Sequence, residues 1–219
     1  MSLQILFAYE QDFSKHPPKN ITSRINSIWD SIPAQLSREN KKFSPGIIKR
    51  GSRLSEYDEA FGWLLDCGLI YKVKLTNKPS IPLSSYDTNF FKIYMHDVGL
   101  LSAITELNVK VLLEGNRIFE EFKGSLTEQY VLQELVAGGI TPFYWTSNGI
   151  AEIDFIINHE SEVFPLEVKA EENLQSKSLK VYREKYTPSV SFRTSMKDYR
   201  EQDWLINIPL YAIGTYFNK

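Results

Sequence analysis

Four ionisable side chains are predicted to share one face of a β-hairpin in the second half of this chain. Residues 152–157 and 162–169 are rich in apolar and β-branched residues, and the short polar break between them is typical of a turn. Because side chains alternate along a strand, one face of this hairpin should be apolar and the other charged. The charged face carries Glu152, Asp154, Glu167 and Lys169.

A two-residue turn at residues 160–161 would set the register of the hairpin. It places Asp154 opposite Glu167, with Cβ atoms about 5 Å apart. Glu152 then lies opposite Lys169. A four-residue loop would shift the pairing by one diagonal and keep the same residues on the same face, whereas a one-residue slip would move Asp154 among apolar partners, which burial opposes.

Neighbouring carboxylates on this face favour a divalent cation. Two ionised carboxylates repel each other, and a cation removes that conflict. Mg²⁺ prefers oxygen ligands and typically takes one or two protein carboxylates, with water and phosphate completing its shell. We therefore predict that Asp154 and Glu167 bind Mg²⁺ or Mn²⁺. An alternative remains open, in which the face is a solvated sheet surface with an ordinary Glu–Lys pair.

The two remaining residues of the charged face would assist this site. A lysine beside a metal can orient an attacking water or stabilise negative charge on a reacting phosphate. We predict that role for Lys169. Glu152 would act from the second layer of the site, behind the metal ligands.

Composition indicates a soluble globular protein. The 219 residues, 42% hydrophobic and 24% charged, suffice for one large or two small domains. No run approaches the ~18 apolar residues of a membrane helix, and no secretory signal is visible, so we expect a cytoplasmic protein without a membrane partner. The single cysteine, Cys67, is predicted to be a small buried hydrophobe. With three histidines in the chain, we expect no His/Cys zinc site.

The first half of the chain predicts a winged-helix-like module. Helical spacing within residues 21–36 and 55–65 precedes two extended segments that could form a ribbon. Such a module can place a helix in the DNA major groove and its ribbon near phosphate. In the alternative, the module packs on a neighbouring domain and its lysines are merely solvated. The candidate ribbon lysines are Lys72, Lys74 and Lys78.

Charge is distributed unevenly along the chain. Residues 1–100 hold 13 Lys and Arg against 10 Asp and Glu, whereas the remainder holds 12 against 17. Any nucleic-acid surface must therefore be local.

After the ribbon, Asp97 is predicted to cap a helix that begins at Val98.

From Ser125 onward the predicted order of elements is α-β-β-β-α-β. Ser125 and Glu128 match a capping box at the start of the first helix. In the functional alternative, Glu128 points at the charged face of the hairpin and completes the site or holds a water there. The second helix, near residues 178–186, is basic. Its candidate phosphate contacts are Lys177, Lys180 and Arg183, for each of which a solvated helix face is the alternative.

These residues and their order resemble a known family. Asp154, Glu167 and Lys169 form an Asp-x12-Glu-x-Lys pattern, which with Glu128 on the preceding helix resembles the PD-(D/E)XK nuclease superfamily over residues 120–195. The wider chain resembles the C-terminal region of bacterial and archaeal AAA-type ATPases, catalogued as domain-of-unknown-function family 4143. The matching stretches are SIPAQL (31–36), FFKIYMHDVGLL (90–101), residues 124–134, EIDFI (152–156) and PLEVK (165–169).

The resemblance implies an α/β fold in which a winged-helix-like α+β module precedes a restriction-endonuclease-like αβββαβ domain. The expected divisions are an N-terminal helix and connector (1–20), the winged-helix-like domain (21–105) and the nuclease-like domain (106–219). No G-x-x-x-x-G-K-[ST] motif is present, so the chain cannot hydrolyse ATP by that route. The Met-Ser-Leu start suggests that an upstream ATPase domain is missing from this chain, and the alternative is a stand-alone relative of the family.

The implied function is that of a nucleic-acid-associated part of an AAA-type ATPase, acting on DNA through a metal-dependent phosphodiesterase site. Whether that site is catalytic stays open at this point. The alternative is a non-catalytic nuclease-fold module that serves the ATPase as a DNA- or protein-binding regulatory platform. In a third hypothesis the charged face binds a protein, and Lys169 is paired with Glu152.

Overall fold

The computed structural model describes residues 2–107, 117–147, 149–170 and 176–217. They form a mixed α/β fold, which confirms the predicted class at that level. The helices in these ranges are α1 (Ser2–Phe13), α2 (Thr22–Leu36), α3 (Pro45–Ile48), α4 (Asp58–Asp66), α5 (Val98–Ile104), α6 (Arg117–Ala137), α7 (Lys177–Tyr186) and α8 (Ile213–Phe217). None of them is long and apolar enough to cross a membrane.

The strands lie in one mixed sheet with the order β2-β1-β3-β4-β5-β6-β8-β7. The pairs β3–β4, β4–β5 and β7–β8 are antiparallel, whereas β1–β3, β5–β6 and β6–β8 are parallel. A parallel pair needs a crossover connection, which α7 supplies between β5 and β6. The strands are β1 (Ile70–Thr76), β2 (Asp87–Met95), β3 (Phe143–Thr146), β4 (Glu152–His159), β5 (Glu162–Val168), β6 (Ser191–Ser195), β7 (Arg200–Gln202) and β8 (Leu205–Pro209).

The chain forms two compact units, each made of two segments. The first comprises Met1–Lys72 and Phe91–Leu126, and the second Val73–Phe90 and Thr127–Lys219. The segment boundaries fall within β1 and β2, which the sequence predicted as the ribbon of a winged helix. The elements α6, β3, β4, β5, α7 and β6 follow one another in the predicted α-β-β-β-α-β order.

Aromatic packing holds the first unit together. The rings of Phe43, Phe61 and Phe91 have centroids 4.9–5.4 Å apart in edge-to-face and stacked pairs. Such pairs add about 0.5–1.5 kcal/mol each beyond the area that they bury. The Phe43 amide also donates to the Phe91 carbonyl at 2.8 Å, which ties the segment before α3 to β2.

Two predicted helix caps have different outcomes. Asp97 caps α5 as predicted, since its Oδ1 accepts a hydrogen bond from the Leu100 amide at 3.1 Å. The capping box of Ser125 and Glu128 is wrong, because α6 begins well before Ser125 and both residues lie inside the helix. Ser125 instead donates its hydroxyl to the carbonyl of Leu36 at 2.7 Å. A tertiary contact has taken the place of a local one.

Cys67 lies at the end of α4, and the prediction that it is buried is wrong. The helix ends at Asp66, and Gly68 turns the chain with a φ of +68°, as expected of a glycine just after a helix. Cys67 is therefore held at the exposed helix end. Its apolar neighbours in sequence lie on the buried side of α4, which is why the composition of the segment was misleading.

The core of the second unit lies where α7 covers the sheet. Leu179 and Tyr182 of α7 are fully buried against Trp145 of β3 and Ile153 of β4. The Trp145 indole also donates to the hydroxyl of Tyr186 at 3.1 Å. This packing fixes α7 along the strands that carry the predicted site.

Candidate functional site

The β4–β5 hairpin has the register predicted from the sequence. His159 pairs with Glu162, so Glu160 and Ser161 alone form the turn. Both turn residues have positive φ angles, of 50° and 68°. This is the geometry of the type I′ turn, whose twist matches that of the flanking strands. Continued to the open end of the hairpin, the register brings the predicted carboxylates opposite each other.

The predicted charged face is charged only at its open end. Ile156 and Pro165 lie on the same face closer to the turn, and both are buried. Glu167 itself is only 3% exposed. The alternative of a solvated sheet surface is therefore wrong for this residue, because its side chain is buried.

Glu167 has two oxygens in different situations. Its Oε1 lies 3.0 Å from the ammonium of Lys169. Its Oε2 is buried and has no hydrogen-bond partner among the residues that the structure describes. A buried acceptor without a donor costs about 1–3 kcal/mol, and more when it is charged. The site therefore holds a carboxylate oxygen that a bound cation would stabilise.

Asp154 is directed toward the same strand. Its Oδ2 accepts a hydrogen bond from the main-chain amide of Val168 at 2.8 Å. Val168 stands between Glu167 and Lys169, so this bond brings the second carboxylate to the end of β5. The structure thus brings together three of the predicted site residues: Asp154 of β4, Glu167 near the end of β5, and Lys169 just after β5.

These residues lie at the carboxyl end of three neighbouring parallel strands. β5, β6 and β8 run in the same direction, and Lys169 directly follows the last residue of β5. Its amide still bonds the Thr194 carbonyl of β6 at 2.9 Å, which fixes where the chain leaves the sheet. In open α/β sheets, ligands bind outside this end of the strands.

Arg193 is a member of the site that the sequence analysis missed. It pairs with Glu167 across β5 and β6 and is 4% exposed. Its Nε donates to Asn207 at 2.9 Å and its Nη1 to the hydroxyl of Ser176 at 3.1 Å. Burial lowers the pKa of the Arg193 guanidinium, and the charge of Glu167 opposes that shift. The last strand of the predicted α-β-β-β-α-β order contains this arginine, and that was the available signal, because arginine is rarely buried without partners.

The structure places the other two predicted carboxylates within α6 and at the start of β4. Glu128 is 1% exposed inside α6. Glu152 is half-buried at the first position of β4, where it pairs with Thr146 of β3. In the described parts of the chain, no three His, Cys, Asp or Glu side chains converge as a metal site. Asp154 and Glu167 are the two carboxylates that the register of the hairpin sets opposite each other.

The predicted ribbon lysines are engaged within their own units. In the first unit, the Lys72 ammonium lies 4.1 Å from the centroid of the Phe91 ring. In the second, Lys74 forms an ion pair with Asp87 at 2.6 Å, and Lys78 lies 5.2 Å from the ring of Tyr86. These contacts orient the three side chains.

The basic residues of α7 separate into two groups. Lys177 is exposed in the first turn, next to Ser176, which bonds Arg193 at the candidate site. Arg183 lies in the last turn, with its guanidinium carbon 5.2 Å from the ring centroid of Trp204. Lys180 is exposed between them. Of the three predicted phosphate contacts, only Lys177 is at the same end of the sheet as Glu167.

Family comparisons divide the chain in two. Residues 2–110 match the model of a domain of unknown function, DUF8612, and residues 123–213 match that of another, DUF4143. No curated protein and no solved structure matches the chain. The stretches 31–36 and 90–101, which suggested family 4143, lie in the part that matches DUF8612. The resemblance to DUF4143 is supported for residues 123–213, the segment that contains every predicted carboxylate of the site and Lys169.

Proposed function

We propose that the open end of the β4–β5 hairpin is a metal-dependent phosphodiesterase site of the PD-(D/E)XK nuclease type. We further propose that the chain is the nucleic-acid-associated, C-terminal part of an AAA-type ATPase. The observation that carries the first proposal is the buried Oε2 of Glu167, which has no donor in the described part of the structure. The hydrogen bond between Asp154 and the Val168 amide places a second carboxylate beside it.

The donors fit Mg²⁺ or Mn²⁺. Hard divalent cations take carboxylate oxygens, and Mg²⁺ commonly uses one or two of them together with water and phosphate. Asp154 and Glu167 would supply that pair. When bound, the metal would polarise the scissile phosphate and make an attacking water more acidic.

The protein's own residues prepare the rest of the site. The Lys169 side chain is 30% exposed. Its ammonium, which contacts Glu167, can therefore contact a phosphate too. There it would hold a phosphate oxygen or the attacking water. Arg193 pairs with Glu167 across β5 and β6 and holds a positive charge at this end of the sheet. Glu152 and Glu128 would act from outside the pair of ligands.

The nucleic-acid part of the proposal rests on resemblance and on local charge. Lys177 stands at the site's end of α7 and can neutralise a backbone phosphate next to the scissile one. Lys72, Lys74 and Lys78 are the proposed DNA contacts of the winged-helix-like module. Each is already oriented by a ring or a carboxylate, which lowers the entropy lost on binding.

The test combines metal binding with cleavage. Mn²⁺ and Mg²⁺ are titrated calorimetrically into the wild type, Asp154→Asn and Glu167→Gln. We expect the wild type to bind Mn²⁺ and each variant to bind at least about tenfold more weakly. Supercoiled plasmid and end-labelled single strands then report cleavage with Mn²⁺, which should be lost in both variants and in Lys169→Met.

Glu160→Gln is the matched control, because Glu160 carries the same charge on the same hairpin but is exposed in the turn. It should bind metal and cleave like the wild type. A folded wild type that binds neither cation would overturn the metal-site proposal. Metal binding without cleavage of any DNA or RNA substrate would support the metal site but overturn the proposed nuclease activity.

The second candidate is a non-catalytic platform, and one observation favours it. Glu167 already has a cation on each side, Lys169 at 3.0 Å and Arg193 as its partner on the adjacent strand. Two such neighbours can hold a buried carboxylate without a metal. Nucleic-acid binding that weakens with salt but is unchanged by Mg²⁺ and by Glu167→Gln would support this candidate over the nuclease.

A further inference from the structure

A cavity of about 450 Å³ opens at the C-terminal end of α7. This volume lies within the range of small-molecule sites, about 300–1,000 Å³. Its walls combine an aromatic ring, two cations, a carboxylate and a hydroxyl, which is the chemistry that a nucleotide needs. The lining residues are Lys180, Arg183, Glu184, Thr187, Pro188 and Trp204.

The cavity and the candidate metal site lie at opposite ends of the strands of the sheet. Ser189, just after α7, donates to the Glu162 carboxylate at 2.6 Å, so this end of the helix lies beside the start of β5. The Trp204 carbonyl accepts from the amide of Ser191, the first residue of β6. Glu162 and Glu167 are roughly 17 Å apart along β5 at ~3.3 Å per residue. One nucleotide cannot occupy both places.

Trp204 and Arg183 form a stacking surface. The indole packs against the buried core of the second unit, which holds the ring in place. The Arg183 guanidinium covers it at 5.2 Å and is exposed on its other side. Nucleobases stack on both aromatic rings and guanidinium planes. A base that enters the cavity can therefore stack on the planar guanidinium of Arg183, which already packs on the Trp204 ring.

The polar residues of the cavity suit the rest of a nucleotide. Lys180 and Arg183 are three residues apart on α7, so their charges lie on the same side of the helix. Together they outweigh the single negative charge of Glu184. A carboxylate can accept a hydrogen bond from the exocyclic amino group of cytosine, which uracil lacks. The cavity should therefore prefer bases that carry an amino group.

We propose that this cavity binds a nucleotide unit, with its base stacked on the Arg183–Trp204 pair and its phosphate on Lys180. The unit is either a free nucleoside monophosphate or one residue of a single strand. The site is independent of the metal site, and its test uses no metal.

The experiment is a calorimetric titration of the full chain with CMP, UMP, ribose 5-phosphate and an eight-residue oligo(dC). We expect CMP to bind, and Trp204→Leu to weaken it between about fivefold and a hundredfold, as loss of a stacking partner does. Arg183→Gln should weaken it at least about fivefold. This second variant changes an exposed side chain, so the test does not depend on whether Trp204→Leu folds. Lys19→Gln, an exposed change outside the cavity, is the matched charge control and should bind CMP like the wild type.

Each ligand separates one part of the proposal. Oligo(dC) that binds at least about tenfold tighter than CMP identifies a strand as the occupant, and equal affinity identifies the free nucleotide. Ribose 5-phosphate binding as tightly as CMP would overturn the stacking role, and UMP binding equally well would overturn the role given to Glu184. No binding of CMP or oligo(dC) by the wild type, or unchanged binding in Arg183→Gln, would overturn the site itself.

Discussion

The ammonium of Lys169 lies 3.0 Å from Oε1 of Glu167, at the point where β5 leaves the sheet. The two residues are two positions apart, so their side chains point to the same side of the extended chain. Glu167 is buried, whereas Lys169 is 30% exposed. The ion pair therefore extends from the buried interior of the sheet to its solvent-exposed surface. The Lys169 side chain can move without unfolding the strand.

A double-mutant cycle should detect this ion pair. Lys169→Met leaves a buried carboxylate with one cation fewer, so we expect it to lower the free energy of unfolding by about 1–2 kcal/mol. In the Glu167→Gln background the same change should matter less, giving a coupling of about 1 kcal/mol. Urea unfolding of the four proteins measures it. Costs that add within about 0.3 kcal/mol would show that the pair contributes nothing.

The two functions of Asp154 can be separated by two substitutions. Asp154→Asn keeps an acceptor for the Val168 amide and should change the free energy of unfolding by less than about 0.5 kcal/mol. Asp154→Ala leaves that amide without its acceptor and should cost about 1–3 kcal/mol. Both should lose Mn²⁺ binding. Equal unfolding free energies for the two variants would argue against the hydrogen bond.

Arg193 should be critical for the stability of the second unit. Arg193→Met removes a buried charge whose partners include Glu167, Asn207 and Ser176, and it should cost about 2–4 kcal/mol. Arg193→Lys keeps the charge but cannot reproduce the two bonds of the guanidinium, so an intermediate cost is expected. Thermal and urea unfolding measure both. Wild-type stability in Arg193→Met would mean that the buried network is replaceable by apolar packing.

Alkaline pH should destabilise the protein through Tyr182. Burial, and then the neighbouring Tyr186, raise the pKa of the Tyr182 phenol in the folded state. Its contribution is therefore fully present below the unfolded-state pKa of about 10, and stability is lost as pH rises above that value. The loss has a limit of about 1.4 kcal/mol per pH unit for one group.

Urea unfolding of the wild type and Tyr182→Phe at pH 9 and pH 11 tests this. The variant should lose about 1 kcal/mol less than the wild type between the two pH values. Tyr211→Phe, a change at an exposed tyrosine, serves as the control and should follow the wild type. Parallel losses in Tyr182→Phe and the wild type would contradict the assignment.

The local part of the candidate site was predictable. A short polar break between alternating strands leaves few registers that bury the apolar side chains, and the structure has the one set by a two-residue turn. The cap at Asp97 was equally predictable, because its acceptor and the Leu100 amide are only three residues apart. Both features depend on neighbours in sequence.

The contacts made across the sheet were not predictable in this way. The sequence predicted Ser125 as a helix cap, but α6 begins earlier. The Ser125 hydroxyl instead donates to the carbonyl of Leu36, which is distant in sequence. Arg193 meets Glu167 only because β6 returns parallel to β5 after α7. Likewise, Trp204 and Arg183 form a cavity only once β8 has paired with β6. No periodicity within a single segment reports such pairings.

The hairpin and the set of side chains at its open end could be predicted from the sequence, because strand alternation and turn chemistry act over a few residues. The folded arrangement of distant segments was needed to show that Glu167 is buried, that one of its oxygens has no donor in the described residues, and that Arg193 is its partner on the adjacent strand. Burial and charge pairing depend on which distant segments cover a strand. These are the quantities on which the chemistry of the site rests.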